Sequence, residues 1–185
     1  MTTDPTRSIS ESYWVVSGRL LAGEYPGQFD NELTRRRIDE FIESGFDMFI
    51  DLTQPDENLP YVKILLDEAR IYEVKATYQR FPIGDFGLPT SEQMNSILDA
   101  IDEGLQAKHK IYLHCRGGIG RTGTTVGCYL VRHGKTGAEA LNQLSAWWRG
   151  VPKSHYHPRS PETFEQMDFI YTWAEHDDNL QKTSN

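Results

Sequence analysis

Residues 110–123 read K-I-Y-L-H-C-R-G-G-I-G-R-T-G. The first six of them, residues 110–115, form a compact and largely apolar run, which is typical of a short buried strand. A glycine-rich turn follows, and a helix is then predicted from about Arg121 to His133, where Gly134 ends it. This order of strand, tight turn and helix is the unit from which the fold is predicted.

Helix and strand patterns alternate on both sides of this unit. Apolar residues at helical spacing and pairs of capping residues predict further helices. These helices are expected at 30–44 and 61–69, and after Thr90, Thr136 and Ser160, the last with Pro161 as its first residue. Extended segments are predicted at 48–52 and 74–83. The alternation is typical of an α/β domain with a mainly parallel central sheet flanked by helices, in which ligands bind beyond the C-terminal ends of the strands.

The length and composition fit a single domain. The chain has 185 residues, of which 38% are hydrophobic and 25% charged, and this is enough for a sizeable core. Within the domain 1–185, we expect a core at about 12–176 and flexible tails at 1–11 and 177–185. No run of about 18 apolar residues is present, so no membrane-spanning helix is predicted.

The net charge and the number of cysteines limit which binding partners and which cellular compartment are expected. A net charge of -8 and a pI of about 5.2 disfavour binding to nucleic acid or to an anionic membrane surface. The polar segment 1–12 lacks the apolar centre of a secretory signal, and two cysteines are too few for a disulfide framework. The expected location is the cytoplasm, and no oligomeric state is predicted.

The turn after the strand has the composition of an anion-binding loop. Gly117, Gly118 and Gly120 let the backbone curl with its N–H groups pointing inward, and the following helix N-terminus adds partial positive charge. Arg121 is expected to present a planar guanidinium suited to two phosphate oxygens. Cys115 lies at the centre of this field, which favours the thiolate, the nucleophilic form of cysteine.

Two other interpretations of the loop fit less well. A nucleotide-binding Walker loop requires Lys and then Ser or Thr after its last glycine, whereas Arg121 and Thr122 follow Gly120 here. A lone cysteine at a strand end is more often a small core residue, but a core role does not explain an arginine six positions after Cys115. The combination therefore indicates a site for phosphate chemistry.

His114, Cys115, Gly118, Arg121 and Thr122 match the motif H-C-x-x-G-x-x-R-[S/T]. At these residues the chain resembles the protein tyrosine phosphatase superfamily, in particular its small dual-specificity and microbial members, and the resemblance covers most of the chain. It implies a three-layer α/β fold in which Cys115 attacks phosphorus, Arg121 holds the equatorial oxygens and Thr122 donates to the sulfur as it leaves. No metal and no organic cofactor are implied.

The reaction also needs an acid, because an alkoxide or phenoxide is a poor leaving group. The candidate is Asp85, 30 positions before Cys115. It is flanked by Gly84, Gly87 and Pro89, and such a segment predicts a loop able to close over a site. The resemblance implies a mobile loop with an acidic Asp at about this distance.

Three further acidic residues compete for the role of the acid. Asp51, Asp56 and Glu57 follow the extended segment 48–52, so they too are expected at the C-terminal end of a strand. They rank below Asp85, whose place agrees with the family pattern. The family's larger members have Trp-Pro-Asp where this chain has Ile-Gly-Asp, which resembles the smaller members.

Several other residues are assigned supporting roles. His114 is expected to support the loop through hydrogen bonds rather than to act as an acid or base. Arg116 and Ile119 are expected to belong to the phosphate-binding loop 116–121 and to shape the mouth of the pocket. Gln166 lies in a segment resembling one of small family members, where a Gln orients the hydrolytic water; a helix cap or a solvated helix face is the alternative. Cys128 is interpreted as a core residue, too far along the predicted helix for a disulfide with the loop cysteine.

We therefore predict a cysteine-dependent phosphomonoester hydrolase that forms a phospho-cysteine intermediate. Its expected substrates are phosphotyrosine and, as further candidates, phosphoserine and phosphothreonine in proteins, or a small phosphomonoester. Phosphoinositide, RNA and nucleotide phosphatases share the Cys–Arg loop and are alternatives, although they usually surround it with more basic residues than Arg116. A phosphate-binding pseudophosphatase is another alternative, but such proteins usually lose Cys or Arg, and this chain has both.

Overall fold

Five strands form one sheet through the middle of the protein, in a computed structural model that describes residues 5–7 and 9–173. They are β1 (Ser12–Val16), β2 (Leu20–Gly23), β3 (Met48–Asp51), β4 (Thr77–Arg80) and β5 (Ile111–His114). Their order across the sheet is β1-β2-β5-β3-β4. All neighbouring pairs are parallel except β1 and β2, which confirms the predicted mainly parallel sheet and places β5 at its centre.

Helices pack against both faces of this sheet. In the described ranges they are α1 (Asn31–Glu43), α2 (Val62–Ile71), α3 (Ser91–Gln106), α4 (Gly120–Arg132), α5 (Gly137–Trp148) and α6 (Phe164–Tyr171). A short 3-10 turn, Pro152–His155, lies between α5 and α6. The helices predicted up to α5 are present with bounds that differ by a few residues.

Side chains that alternate along the strands divide the core between the two faces of the sheet. Leu21, Phe49 and Tyr112 belong to a cluster that includes residues of α1 and α2. Leu20 and Ile50 belong to a second cluster that includes residues of α3, α4, α5 and α6. Helices on both faces of a mainly parallel sheet give a three-layer α/β fold, as the resemblance implies.

The hairpin of β1 and β2 is not predicted by the sequence patterns above. Its turn contains Gly18 with a φ of 68°, a left-handed conformation that favours glycine. Strand β2 is buried along its whole length and pairs with β5. A four-residue strand that is buried on both faces has no apolar–polar alternation, so periodicity gives no signal for it.

The last helix begins later than the sequence predicts. Thr163 is the N-cap of α6: its hydroxyl accepts from the Gln166 N–H at 3.2 Å, and the Gln166 side chain accepts from the Thr163 N–H at 3.2 Å. The expectation that Ser160 caps this helix and Pro161 begins it is therefore wrong. Thr163 with Gln166 forms a reciprocal capping box, which satisfies two backbone donors, and the Ser160 hydroxyl instead donates to the Ile119 carbonyl at 2.8 Å.

The two predicted tails are described in part. Residues 1–4, 8 and 174–185 lie outside the described residues, so the tail at 177–185 and the last residues of the predicted core are not covered. In the first tail, Ile9 is buried and the Pro5 carbonyl accepts from the Trp14 side chain at 2.9 Å. This part of the segment packs on β1. No helix in the described ranges is long and apolar enough to cross a membrane.

The parallel strands bring three segments of the chain to one edge of the sheet. Strand β5 leads directly into Cys115, β4 leads into the segment that carries Asp85, and β3 leads into the segment that carries Glu57. These segments are far apart in sequence, but they meet because the C-terminal ends of parallel strands lie on the same side.

Candidate active site

The glycine-rich loop closes around the sulfur of Cys115. Cys115 is 2% exposed, and its Sγ accepts a hydrogen bond from the Gly118 N–H at 3.3 Å. Gly118 has a φ of 74°, and a Cβ at this position would lie 2.6 Å from the carbonyl carbon of Gly23. The tight curl that turns this N–H toward the sulfur therefore depends on glycine.

A small cavity lies over the sulfur and brings several predicted site residues together. It has a volume of about 20 Å³. Its lining residues are Asp85, Phe86, Cys115, Gly117, Ile119, Gly120, Arg121 and Glu162. A space of this size holds about one water molecule, so the loop carrying Asp85 or its neighbours must move to admit a phosphoryl group.

Arg121 is held at the cavity by two carboxylates and a carbonyl. Its terminal nitrogens donate to both Glu57 oxygens at 2.6 and 2.7 Å, to Asp85 Oδ1 at 3.0 Å and to the Ile83 carbonyl at 3.0 Å. Burial alone would lower the pKa of the Arg121 guanidinium, but its hydrogen bonds with Glu57 and the nearby negative charges raise it above its usual value. Arg121 is therefore a fixed cation beside Cys115.

Glu57 is bound to Arg121 and does not line the cavity. The hydrogen bond from Arg121 holds the pKa of the Glu57 carboxyl below its usual range, against the opposing effect of burial. An ionised carboxylate of this kind is a poor proton donor. Asp56, the neighbouring candidate, is exposed and lies outside the cavity lining.

Asp51 lies beneath the loop rather than in the cavity. Its carboxylate is fully buried and accepts from the Tyr78 hydroxyl at 2.6 Å and from Arg80 at 3.0 Å. Burial alone would raise the pKa of the Asp51 carboxyl, but hydrogen bonds from the Tyr78 hydroxyl and from Thr53 hold it below its usual value. Of the four acidic candidates, Asp85 is the one that lines the cavity, with its side chain 49% exposed.

His114 is buried directly behind the cysteine. Its Nε2 and the Tyr61 hydroxyl are 2.7 Å apart, and its Nδ1 lies 3.3 Å from the Cys115 carbonyl oxygen. Burial is the main cause that holds the pKa of His114 below its usual value, which favours the neutral ring. The ring is also in contact with Tyr25, Tyr61 and Tyr112. These contacts fit a supporting position for His114.

Thr122 lies in the first turn of α4 with its side chain fully buried. Its hydroxyl has no hydrogen-bond partner in the described part of the chain. The bond to the Cys115 sulfur that the resemblance implies is therefore not formed in this arrangement. A buried unpaired hydroxyl costs free energy, so its presence calls for an explanation.

The Gln166 side chain forms part of the cap of α6, the alternative to a water-orienting role, and the Arg116 side chain lies away from the expected pocket mouth. Gln166 is fully buried, and its side chain bonds to the backbone of Glu162, Thr163 and Gly87 rather than lining the cavity. The Arg116 side chain is exposed and also lies outside the lining. Of the two residues expected at the pocket mouth, Arg116 and Ile119, Ile119 alone lines the cavity.

Three residues near the cysteine are not predicted from the sequence. Lys153 donates from Nζ to the Gly117 carbonyl at 3.2 Å and to Glu24 at 2.6 Å. Phe86 and Glu162 line the cavity. Phe86 follows Asp85 directly in the sequence, which is a signal for its place at the cavity, whereas Lys153 follows Gly117 by 36 positions in a segment without a motif.

Cys128 lies in the core cluster that includes residues of α3 to α6, fully buried. Burial raises the pKa of the Cys128 thiol, and both cysteines are free thiols. Its position agrees with the interpretation of Cys128 as a packed core residue.

Comparison with known proteins places the chain in a family. A family model described as "Polymorphic toxin system, DSP-PTPase phosphatase" matches residues 30–135. The chain is similar to the putative tyrosine phosphatase 067L of Invertebrate iridescent virus 3, with 29% identity over 126 residues, 66% of this chain and 46% of that protein. It is also similar to the dual specificity protein phosphatase CDC14B of Mus musculus, with 32% identity over 146 residues, 74% of this chain and 26% of that protein. The chain thus spans less than half the length of these two relatives.

A solved structure supports the same assignment. The chain is similar to Tk-PTP in its active form, with a TM-score of 0.63, 25% identity, and coverage of 86% of this chain and 93% of that chain. The family match covers more than half of the 185 residues, and these likenesses confirm the resemblance to the protein tyrosine phosphatase superfamily. The chain therefore belongs to the DSP-PTPase phosphatase family described from polymorphic toxin systems.

Proposed function

We propose that this chain hydrolyses phosphomonoesters through a phospho-cysteine intermediate on Cys115. The observation that carries the proposal is that the Cys115 sulfur, Arg121 and Asp85 line one cavity at the start of α4. A nucleophile, a fixed cation and an exposed carboxyl are the three groups that phosphoryl transfer to a thiol requires. The family and its relatives support the same reaction.

In the first step the Cys115 thiolate attacks phosphorus. The S–P bond forms while the P–O bond to the leaving group breaks, and protonated Asp85 gives its proton to the leaving oxygen. The Arg121 guanidinium, which donates to Asp85 and to the Ile83 carbonyl in the structure, donates instead to the equatorial oxygens of the phosphoryl group. In phosphoryl transfer the protein contributes mainly by positioning the reacting groups and by stabilising the developing negative charge.

In the second step water attacks the phospho-cysteine. Asp85, now a carboxylate, takes the proton of the water, the S–P bond breaks, and inorganic phosphate leaves with the thiolate regenerated. The buried Thr122 hydroxyl has no partner in the described chain, so it is available to donate to the departing sulfur. This assignment gives the unpaired hydroxyl a role.

We propose phosphotyrosine in proteins as the first substrate class. Phe86 is 59% exposed and lines the cavity next to Asp85, so its ring is placed to pack against the ring of an aryl phosphate. Glu162 lines the same cavity, and its charge disfavours substrates with further phosphates close to the reacting one. Phosphoserine and phosphothreonine remain secondary candidates.

The test is to trap the intermediate. The protein is mixed with a phosphate-labelled aryl phosphate and quenched in acid, and the label is located by peptide mass. We expect the label on the peptide that carries Cys115, no label in Cys115→Ser, and parent-like labelling in Cys128→Ser, whose residue is buried in the core. Vanadate binding to Cys115→Ser would show that this variant is folded. Turnover by Cys115→Ser at about a tenth of the parent rate or more would exclude the covalent mechanism, because serine is not ionised near neutral pH.

A further inference from the structure

The segment that carries Asp85 is anchored firmly at its base and sparsely at its tip. At the base, the Ile83 N–H donates to the Leu52 carbonyl at 3.1 Å and the Gln93 side chain donates to the Pro82 carbonyl at 2.8 Å. The tip, residues 84–88, is a turn closed by the Gly87 N–H and the Gly84 carbonyl at 2.8 Å. We call residues 84–88 the acid loop.

Two hydrogen bonds connect the acid loop to the rest of the described chain. One joins Asp85 to Arg121 at 3.0 Å. The other runs from Gln166 Nε2 to the Gly87 carbonyl at 3.3 Å. The first bond must loosen during the proposed reaction, because Arg121 then binds phosphate oxygens and Asp85 binds the leaving oxygen. The bond from Gln166 is the one that can persist through the chemical step.

The orientation of the Gln166 amide is fixed by its surroundings. Its Oε1 accepts from the Glu162 N–H at 3.1 Å and from the Thr163 N–H at 3.2 Å, so its NH₂ group must point the other way, toward Gly87. The side chain is fully buried. It also lies tightly over Gly120, where an added Cβ would be 2.9 Å from both amide atoms. The rotamer is therefore held by packing as well as by hydrogen bonds.

We propose that Gln166 is a positioning residue that holds the acid loop closed, so that Asp85 faces the Cys115 sulfur. The proposal rests on the proposed function and adds a coupling between α6 and general acid catalysis. Through one amide, the capping box of α6 is tied to the loop that delivers the proton. Opening of the acid loop for substrate entry breaks one hydrogen bond at Gly87 and leaves the cap of α6 intact.

The same geometry argues against the water-orienting role expected for Gln166. To orient the attacking water, the Gln166 amide would have to bond to it, but its Oε1 already accepts two hydrogen bonds, which uses both of its lone pairs. Gln166 also lies outside the cavity lining. Its NH₂ group donates to the Gly87 carbonyl.

The test uses a variant that removes the contact with Gly87 and retains the cap. Gln166→Glu retains an Oε1 acceptor for Glu162 and Thr163 but loses the donor to the Gly87 carbonyl. Thr163→Ala is the matched control, because it removes the cap hydroxyl of α6 and leaves the donor to Gly87 in place. Hydrogen exchange of the amides of residues 84–88 is measured first, since it requires no turnover. We expect faster exchange in Gln166→Glu and parent-like exchange in Thr163→Ala.

The catalytic readout is kcat/KM across aryl phosphates of increasing leaving-group pKa. In Gln166→Glu we expect a loss of roughly 10- to 100-fold on phosphotyrosine peptides, a part of the about 10²–10⁴-fold that general acid catalysis contributes. On the most activated ester we expect a loss below about threefold, since that leaving group needs little protonation. Added to Asp85→Asn, Gln166→Glu should cause little further loss, because both changes act through one proton transfer.

Three results would overturn the assignment. An equal loss on all leaving groups would point to structural damage, and unchanged exchange at 84–88 would exclude the contact as a restraint on the loop. Accumulation of the phospho-enzyme with an unchanged leaving-group dependence would restore the water-orienting role. If the parent protein itself formed no phospho-cysteine, the proposed function would fail, whereas the exchange measurement would still report on the Gln166 contact.

Discussion

Glu57 binds both terminal nitrogens of Arg121 in a largely buried ion pair, with side-chain exposures of 12% and 2%. Such a pair is costly to break from one side, because the other charge is left without its partner in a poorly solvated place. Glu57 therefore fixes the guanidinium in the absence of phosphate. This contact suits Glu57 to position Arg121, whereas the sequence ranks it below Asp85 as a candidate for the acid.

We expect Glu57→Gln to reduce the free energy of unfolding by about 1–3 kcal/mol at pH 7, the usual cost of a lost charged hydrogen bond. The pKa of Glu57 is lower in the folded than in the unfolded protein. Its contribution is therefore present above the ordinary Glu pKa of about 4.3 and is lost as the pH falls through the lowered value. Urea unfolding at several pH values would show the difference between parent and variant shrinking in acid.

The exposed neighbour Asp56 supplies the control for this comparison. Asp56→Asn changes the same charge one residue away, and we expect an effect within about 0.5 kcal/mol at all pH values. A Glu57→Gln effect that stayed constant from pH 7 into the acid range would contradict an ionised Glu57 as its source.

Asp85→Asn should lose activity in proportion to the need of the leaving group for a proton. In a loose transition state, negative charge accumulates on the leaving oxygen, so we expect a loss of roughly 10²–10⁴-fold on phosphotyrosine peptides. A much smaller loss is expected on a strongly activated coumarin ester. The basic limb of the kcat/KM profile against pH, which reports the protonated acid, should flatten.

The comparison should include Asp51→Asn, Asp56→Asn and Glu57→Gln. An equal loss on all leaving groups in Asp85→Asn would assign it a structural role. A loss graded by leaving group in one of the other three variants would move the acid to the segment after β3.

At this scale the sequence predicts which residues share the cavity better than it predicts the contacts that hold them in place. Cys115 and Arg121 belong to one local motif, and Asp85 belongs to a loop flanked by glycine and proline. The three residues line one cavity. The residues that bond to Arg121 and to the carbonyls of the glycine-rich loop lie far away in the sequence, so no local pattern predicts them. Glu57 is 64 positions from Arg121, and Lys153 meets Gly117 through a segment that has no pattern of its own.

Among the elements, the glycine-rich loop depends most directly on one residue. Gly118 combines a φ of 74° with a neighbouring backbone so close that a Cβ would lie 2.6–2.8 Å from Gly23 and Glu24. Gly134 also has a left-handed φ, of 92°, but nothing lies within 4 Å of its Cβ position. A comparison of the two glycines therefore separates the effect of a left-handed backbone, present at both, from the effect of steric crowding, present at Gly118 alone.

We expect Gly118→Ala to abolish most activity, because relief of the clash moves the N–H that points at the Cys115 sulfur. Gly134→Ala should reduce the free energy of unfolding by about 1–2 kcal/mol, the cost of a left-handed residue with a side chain, with parent-like kcat/KM. Activity assays and thermal unfolding of both variants test this. Full activity in Gly118→Ala would show that the curl of the loop tolerates a side chain, against the distances above.

The sequence predicts elements well where local chemistry settles their ends. Thr136 with Glu139 forms the predicted capping box of α5, and Thr90 caps α3 as expected. The Gln93 side chain, which a capping box would return to Thr90, donates instead to the Pro82 carbonyl. The start of α6 differs from the prediction because two residues able to cap a helix lie three positions apart, and the choice of Thr163 depends on the hydrogen bond of Ser160 with the distant Ile119.

For the whole molecule, the parallel order of β5, β3 and β4 explains how the site is assembled. Each strand delivers one segment to the same edge, so the alternation of strands and helices in the sequence is enough to predict where the site lies. The β1–β2 hairpin extends the sheet on the far side of β5. Its strands are four and five residues long, which is too short for periodicity to identify them, and β2 is buried throughout.

The net charge of -8 gives a prediction about substrates that belongs to the molecule as a whole. A negative protein repels polyanions over distances set by the Debye length, about 30 Å at 0.01 M salt and about 8 Å at 0.15 M. Glu162 and Asp85 at the cavity also repel polyanions, at short range.

We therefore expect kcat/KM for a polyphosphorylated inositol or an RNA 5′-phosphate to rise by roughly 3- to 10-fold when sodium chloride is raised from 0.01 M to about 0.15 M. For a phosphotyrosine peptide with flanking lysines, kcat/KM should fall, and for a small aryl phosphate it should change little, which controls for competition by chloride. A polyanion rate that falls with salt would mean that a local basic surface, such as one formed by the exposed Arg116 side chain with Lys153, outweighs the charge of the whole protein.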